Sequence, residues 1–427
     1  MSDVRPAGGD GAAAGPVGPL VDHLFRRCAG RLLSSLCRAL GAHELDLAEE
    51  VVQDALLKAL RIWPYEGVPR DPEAWIFRVA RNRALDVLRR RGRVEESVAP
   101  ERLDHVAPPA PQAPDAFDDE LAMLLMCCHP ALPFDARVAL TLRTVGGLST
   151  DEIAAAFLTS RATVQQRIVR AKRAVAERRL SLELPDQGLP DERRESVLAV
   201  LYLMFNEGYA ASEGDALVRA ELCGEAIRLT RILADHPVLG TPEVDALLAL
   251  LLFQASRLPA REGEDGSLVL LADQDRTRWD RALVAEGFRR LERATAADRL
   301  TRWHLEAGIA SGHAAAPSWE ATDWARILDL YDLLVEVAPS PVVALNRAVA
   351  LAMARGAEVG LEALDVIDPA ALPGYHLLPA ARGHLLALAG RQEEAAVETR
   401  RALMACRTRP VRAYLERRVE ELTLRSR

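Results

Sequence analysis

LSTDEIAAAFLTSRATVQQRIVRAKRAV (Leu148–Val175) decides how this chain is read. Ser149 and Glu152 stand at capping-box spacing, so a helix starts there. Ile153, Ala154 and Phe157 give it a short apolar face, Leu158-Thr159 make a turn, and Ser160 caps a second helix. Val164, Ile168, Ala171 and Val175 recur at i, i+4, i+7 and i+11 and form the buried stripe of that helix. Its other face carries Gln165, Gln166, Arg167, Arg170, Lys172 and Arg173. A solvated basic helix would show the same stripe. Glutamine and arginine, however, can each make two hydrogen bonds to a purine edge, which binding to phosphate alone does not require. The spacing is that of a helix-turn-helix whose second helix reads the major groove.

Upstream, LAEEVVQDALLKAL (Leu47–Leu60) sets Glu49, Glu50, Gln53, Asp54 and Lys58 opposite Val51, Val52, Ala55, Leu56, Ala59 and Leu60. That is an amphipathic helix with an acidic outer face. In DPEAWIFRVARNRALDVLRRR (Asp71–Arg91), Asp71 caps and Pro72 takes the first helical position. Ile76, Val79, Ala80, Ala84, Val87 and Leu88 are its expected buried stripe, with Arg78, Arg81, Asn82, Asp86, Arg89 and Arg90 on the other side. Between Arg61 and Arg93 stand nine arginines against Glu66, Asp71, Glu73 and Asp86. That excess suits a phosphate backbone.

The net charge of −8 over 427 residues argues against nucleic acid only as an average. The acid is concentrated in residues 94–120, where Glu95, Glu96, Glu101, Asp104, Asp115, Asp118, Asp119 and Glu120 face a single Arg102 among five prolines. Such a segment cannot pack a core and reads as a flexible linker. Residues 1–19, rich in Gly, Ala and Pro, read as a disordered arm, without the charged start and apolar core of a signal peptide. No apolar run reaches the ~18 residues of a membrane span, so no membrane contact and a cytoplasmic location are expected. The six cysteines form no CxxC pair and read as reduced, buried thiols, with no metal and no cofactor. The expected fold is all-α: a helical block over 20–93, the linker over 94–120, a helix-turn-helix domain over 121–182 and a helical extension over 188–427.

In the extension, GYHLLPAARGHLLALAGRQEEAAVETRRAL (Gly374–Leu403) places Gly383, Gly390, Ala395 and Ala402 at the offsets of a TPR-like helix pair. Repetition elsewhere is weak, and breaks are expected near Pro259–Ser267 and Ala314–Ser318. Three strings are more polar than packing requires: LYLMFNEGYAAS (Leu201–Ser212), LADQDRTRWDRAL (Leu271–Leu283) and APSPVVALNRAVA (Ala338–Ala350). Asn206, Glu207, Asp273, Asp275, Arg276 and Asp280 could form an acid–base cluster. Helix capping and pairing of arginines is the simpler account, and no nucleophile elbow or P-loop accompanies them.

The strings over 47–60 and 71–91 resemble region 2 of the extracytoplasmic-function (ECF) sigma factors of the sigma-70 family. The segment Leu132–Val175, with its lead-in CCHPALP (Cys127–Pro133), resembles region 4. The resemblance covers about the first 180 residues. It implies a transcription-initiation factor and not an enzyme, with core RNA polymerase (the β′ coiled coil and the β subunit) and promoter DNA as partners. Glu50, Gln53 and Asp54 would face the polymerase. The loop Pro64–Arg70 with Trp75, Arg78, Asn82, Arg89 and Arg90 would face the opened −10 strand. Gln165, Gln166, Arg167, Arg170 and Arg173 would read the −35 element. The linker, at most ~90 Å when extended, can span promoter boxes roughly 60 Å apart. The polar strings resemble a subgroup with a TPR-like C-terminal extension that regulates sigma activity, for which a small regulatory protein is a further expected partner. The competing classes are a helix-turn-helix regulator acting without core polymerase and an enzyme with a DNA-binding head.

Overall fold

A computed structural model describes residues 17–90, 103, 106, 117–156, 159–210, 218–264 and 266–425. Side chains of 17–27 and 155–156 fall outside that description, as do most of the N-terminal arm, most of the acidic linker, and Phe157 and Leu158 of the expected turn. The fold is all-α. Among the described residues the one β pairing is an isolated bridge between Glu262 and Leu268. The chain forms two compact units, Met1–Thr150 with Gln165–Leu184, and Asp151–Val164 with Pro185–Arg427.

The first unit is built on α1 (Val17–Leu40), α2 (Leu45–Glu66), α3 (Pro72–Arg90), α4 (Asp118–Cys127) and α5 (Phe134–Thr144). α1, α2 and α3 bury Leu32, Leu36, Val51, Trp63, Ile76 and Phe77 among themselves. On α3 the buried stripe includes Phe77, whereas Val79 and Val87 are only half-buried. Glu120 to Cys127 are buried throughout, so α4 is a core helix with no solvent face. α4 packs on α1 and α5, and Arg38 of α1 reaches Asp119 at 2.7 Å. Gly30 marks a close approach of α1 to the end of α5. A Cβ there would stand 2.6 Å from the Val145 carbonyl oxygen, just beyond α5. Two further helices, α6 (Thr150–Ala156) and α7 (Arg161–Glu177), follow.

The second unit continues with α8 (Asp191–Tyr209), α9 (Ala220–Asp235), α10 (Pro242–Ala255), α11 (Arg281–Ala294), α12 (Arg302–Ala315), α13 (Trp324–Val337), α14 (Pro341–Arg355), α15 (Ala357–Asp365), α16 (Leu377–Leu388), α17 (Gln392–Ala405) and α18 (Arg409–Arg425). The chain leaves helix where the prolines announce it: a single turn at Leu258–Arg261, then irregular backbone, and a gap between Ala315 and Trp324. α10 reads DALLALLLFQA over residues 245–255 and is apolar all round, which requires neighbours on every side. α8, α9, α11 and α12 supply them. A charged pair enters this core: Arg290 of α11, 8 % exposed, bonds the buried Asp245 of α10 at 3.0 Å and Asp235 at 2.8 Å. Further on, α16 and α17 form the expected close hairpin. A Cβ on Gly383 would meet Thr399 Oγ1 at 2.8 Å and the Ala395 carbonyl at 3.1 Å, and Ala395 and Ala402 are fully buried.

Candidate nucleic-acid interface

α3 starts as its sequence directs, with Asp71 accepting a hydrogen bond from the Ala74 N–H at 3.0 Å. Trp75 is half-buried, its ring 5.4 Å from that of Trp63 in an edge-on arrangement. Arg78, Asn82, Arg89 and Arg90 are exposed, so α3 presents a basic face with one anchored aromatic at its head. The expected loop Pro64–Arg70 begins later than its proline suggests: Pro64 and Tyr65 are still in the last turn of α2, and they are exposed, Tyr65 to 90 %, as are Val68 and Arg70 beyond it. Exposed aromatic and guanidinium groups side by side suit a single strand, whose bases stack and whose phosphates need cations.

Arg83 faces the other way. Its Nε donates to Asp54 at 2.7 Å and its Nη2 lies 3.9 Å from Glu50, and the Asp54 bond raises the guanidinium above its ordinary value. Of the three expected polymerase-facing residues, Gln53 and Glu50 are exposed, while Asp54 is half-buried against Arg83.

α7 is capped by Ser160, whose hydroxyl accepts from the Thr163 N–H at 3.1 Å. Val164, Ile168, Ala171 and Val175 are all buried, as the stripe predicts. Gln165, Gln166, Arg170 and Arg173 are exposed. Arg173 bonds Glu177 one turn on at 2.6 Å, and Arg167 is half-buried with its guanidinium 2.9 Å from Asp135. Lys172 departs from the expected outer face. Its side chain is 13 % exposed and bonds Asp46 at 2.7 Å and Glu49 at 3.0 Å. The outer face of α7 therefore offers two glutamines and two arginines, with a third arginine held at the edge.

In the second unit, Asp275 accepts from the Thr277 N–H, and Asp280 from the N–H groups of Ala282 and Leu283. Arg276 donates to the carbonyls of His313 and Ala316. Capping and carbonyl binding thus account for these residues of the acid–base cluster. Glu207 is 5 % exposed and so packed inside the unit. All six cysteines are free and buried, and burial pushes the Cys223 thiol up to about 12. No helix among the described residues is long and apolar enough to cross a membrane, and no group of three or more His, Cys, Asp or Glu there could hold a metal.

Comparison with known proteins converges on the same elements. Residues 24–94 match Sigma-70 region 2, residues 122–175 match Sigma-70 region 4, and residues 193–295 match a family of unknown function, DUF6596. An uncharacterized protein of Rhizobium meliloti (strain 1021) is 41 % identical over 403 residues, which is 92 % of this chain and 95 % of that protein. The ECF RNA polymerase sigma factor SigE of Mycolicibacterium smegmatis is 33 % identical over 171 residues, 40 % of this chain and 63 % of that one. The ECF RNA polymerase sigma-E factor of Escherichia coli (strain K12) is 31 % identical over 137 residues, 30 % of this chain and 70 % of that one. With both sigma regions matched, in order and on the helices that carry the basic faces, the chain belongs to the ECF sigma factors of the sigma-70 family, DNA-binding transcription-initiation factors that are not enzymes.

Proposed function

We propose that α2 docks on core RNA polymerase through Glu50, Gln53 and Asp54, at the β′ coiled coil, while the β subunit receives the helix-turn-helix block. Trp75, Arg78, Asn82, Arg89 and Arg90 hold the opened −10 strand. Gln165, Gln166, Arg167, Arg170 and Arg173 read the −35 element. The observation that carries this reading is the pair of exposed basic faces, on α3 and α7, each over an apolar stripe buried elsewhere. The Asp54–Arg83 bond supports the polymerase-side role as well, because it fixes the angle between α2 and α3.

The TPR-like extension, 188–427, acts in this reading as the regulator of the promoter-reading blocks and as the docking place of a small regulatory protein. Covalent attachment gives it an effective concentration near those blocks on the order of millimolar, so a weak contact suffices. The protein works in the cytoplasm, on promoter DNA. Run-off transcription with core polymerase, with and without residues 186–427, tests both levels. Promoter-specific transcripts are expected from the full chain, with a several-fold change on truncation. No core-dependent transcript from any promoter would end the sigma-factor assignment of these residues, and equal output from both chains would end the regulatory one.

A further inference from the structure

The polar strings of the extension are far apart in sequence, yet they meet. Tyr202 and Asn206 of α8, Leu271, His313 of α12 and Asn346 of α14 all line one cavity of about 570 Å³, closed on its inner side by α10. That volume is in the range of small-molecule sites, roughly 300–1,000 Å³. It is a cleft open to solvent, with polar and apolar side chains both in its wall, which is the mixed lining small-molecule sites use.

The charges of the wall are unbalanced. Arg302 is matched, its Nε 3.4 Å from Glu306 and its guanidinium over the Trp303 ring. Arg257 is not matched by any acid. Its guanidinium donates to Tyr209 Oη and Gln254 Oε1, its Nε is buried with no partner, and no carboxylate among the described residues pairs with it. Beside it, His313 Nδ1 and Arg276 Nη2 are also buried and unpartnered. Burial first, then the charges of Arg257 and Arg276, push the His313 imidazole down to about 4, so this end of the cavity already repels a further cation. A buried donor left without a partner is costly, and an anion would give it one. Ile309, Leu334 and the Tyr331 ring give the same lining an apolar part.

We propose that this cavity is a binding site for a small organic anion, with a carboxylate or phosphate head against Arg257 and an apolar body against Ile309, Tyr331 and Leu334. Binding at this site does not depend on whether the extension regulates the promoter-reading blocks, and the test reads binding alone. Four matched compounds, phenylacetate, phenyl phosphate, phenethylamine and 2-phenylethanol, are titrated onto the full-length protein and followed by ligand-observed NMR. The carboxylate and the phosphate arms separate the two kinds of head group. At least one anion should bind with a Kd of about 1 mM, as befits ligands of this size, and the amine and alcohol at least ~10-fold more weakly. Arg257→Gln should weaken the anion by a similar factor. Glu306→Gln removes the one acid of the wall and should tighten it. Asn346→Trp, at an exposed position on the rim, should block it. Amine or alcohol binding as tight as the anions overturns the proposal. So does an absence of anion binding, or anion binding that neither Glu306→Gln nor Asn346→Trp alters.

Discussion

Replacing Gly30 by alanine tests whether packing within the first unit competes with polymerase binding. The added Cβ would stand 2.6 Å from the Val145 carbonyl oxygen and 3.5 Å from that of Thr144. Ordinary contact begins near 3.4 Å, so α1 and the segment after α5 must part by roughly 0.8 Å, because a backbone carbonyl has no rotamer through which to yield. Overpacking of this kind costs about 1–3 kcal/mol. Alanine also favours helix over glycine by about 1 kcal/mol, but α1 is helical whether or not region 4 packs on it, so that gain cancels. The net shift is ~5–150-fold toward the separated arrangement. In the proposed reading, the two blocks must part to reach promoter boxes roughly 60 Å apart, and the packing of Gly30 on Val145 opposes that. Titrating fluorescent core polymerase with the full chain should therefore show tighter binding for Gly30→Ala, and small-angle scattering should show a larger radius of gyration. A larger radius with unchanged core affinity refutes the competition, and no change in either refutes the contact.

Three further outcomes are expected. Arg290→Met leaves Asp245 buried with only Arg293 Nε at 3.4 Å and should cost about 3 kcal/mol in urea unfolding. Adding Asp245→Leu should recover most of that, and a double variant as unstable as the single one contradicts the pairing argument. Arg167→Ala should lower −35 affinity by about 1–3 kcal/mol and relax the preference at one position, whereas Asp135→Asn, which frees the guanidinium held at 2.9 Å, should strengthen it. A loss by Arg167→Ala that is equal across all sequences makes the contact one to phosphate. The third outcome concerns pH. Because His313 titrates near 4 when folded against an ordinary value of 6.5, the unfolded chain takes the proton first. The stability gained by keeping it neutral is complete above 6.5 and is lost as the pH falls toward 4. His304, His376 and His384 shift the same way, so His313→Leu should flatten part of the slope, and an unaltered slope removes His313 from the account.

Local chemistry was legible in the sequence because it acts over a few residues. Asp71 and Ser160 cap where their spacing says, and the α7 stripe is buried at all four positions. On α3 the period leaves several positions near the edge of the buried arc, and packing against α2 and α1 chose Phe77 over Val79 and Val87. The partners of the basic residues were not legible. Arg83 meets an acid 29 positions away and Lys172 one 126 positions away, and nothing in either neighbourhood announces it. Likewise the three polar strings read as separate stretches, since no local pattern states that α8, α12 and α14 line one space.

The all-apolar α10 has a consequence for synthesis. Two of the helices that cover it, α11 and α12, come after it, and the last ends at Ala315. The 60 residues from Ala255 to Ala315 take ~3–12 s to translate at about 5–20 residues per second. During that interval a leucine-rich helix covered only by α8 and α9 hangs from a nascent chain whose sigma regions are already complete. A chain stopped in this stretch would carry working sigma regions beside an exposed aggregation-prone helix. A stop codon between Ala255 and Ala315 is therefore a hazard of its own kind, separate from loss of whatever the extension does.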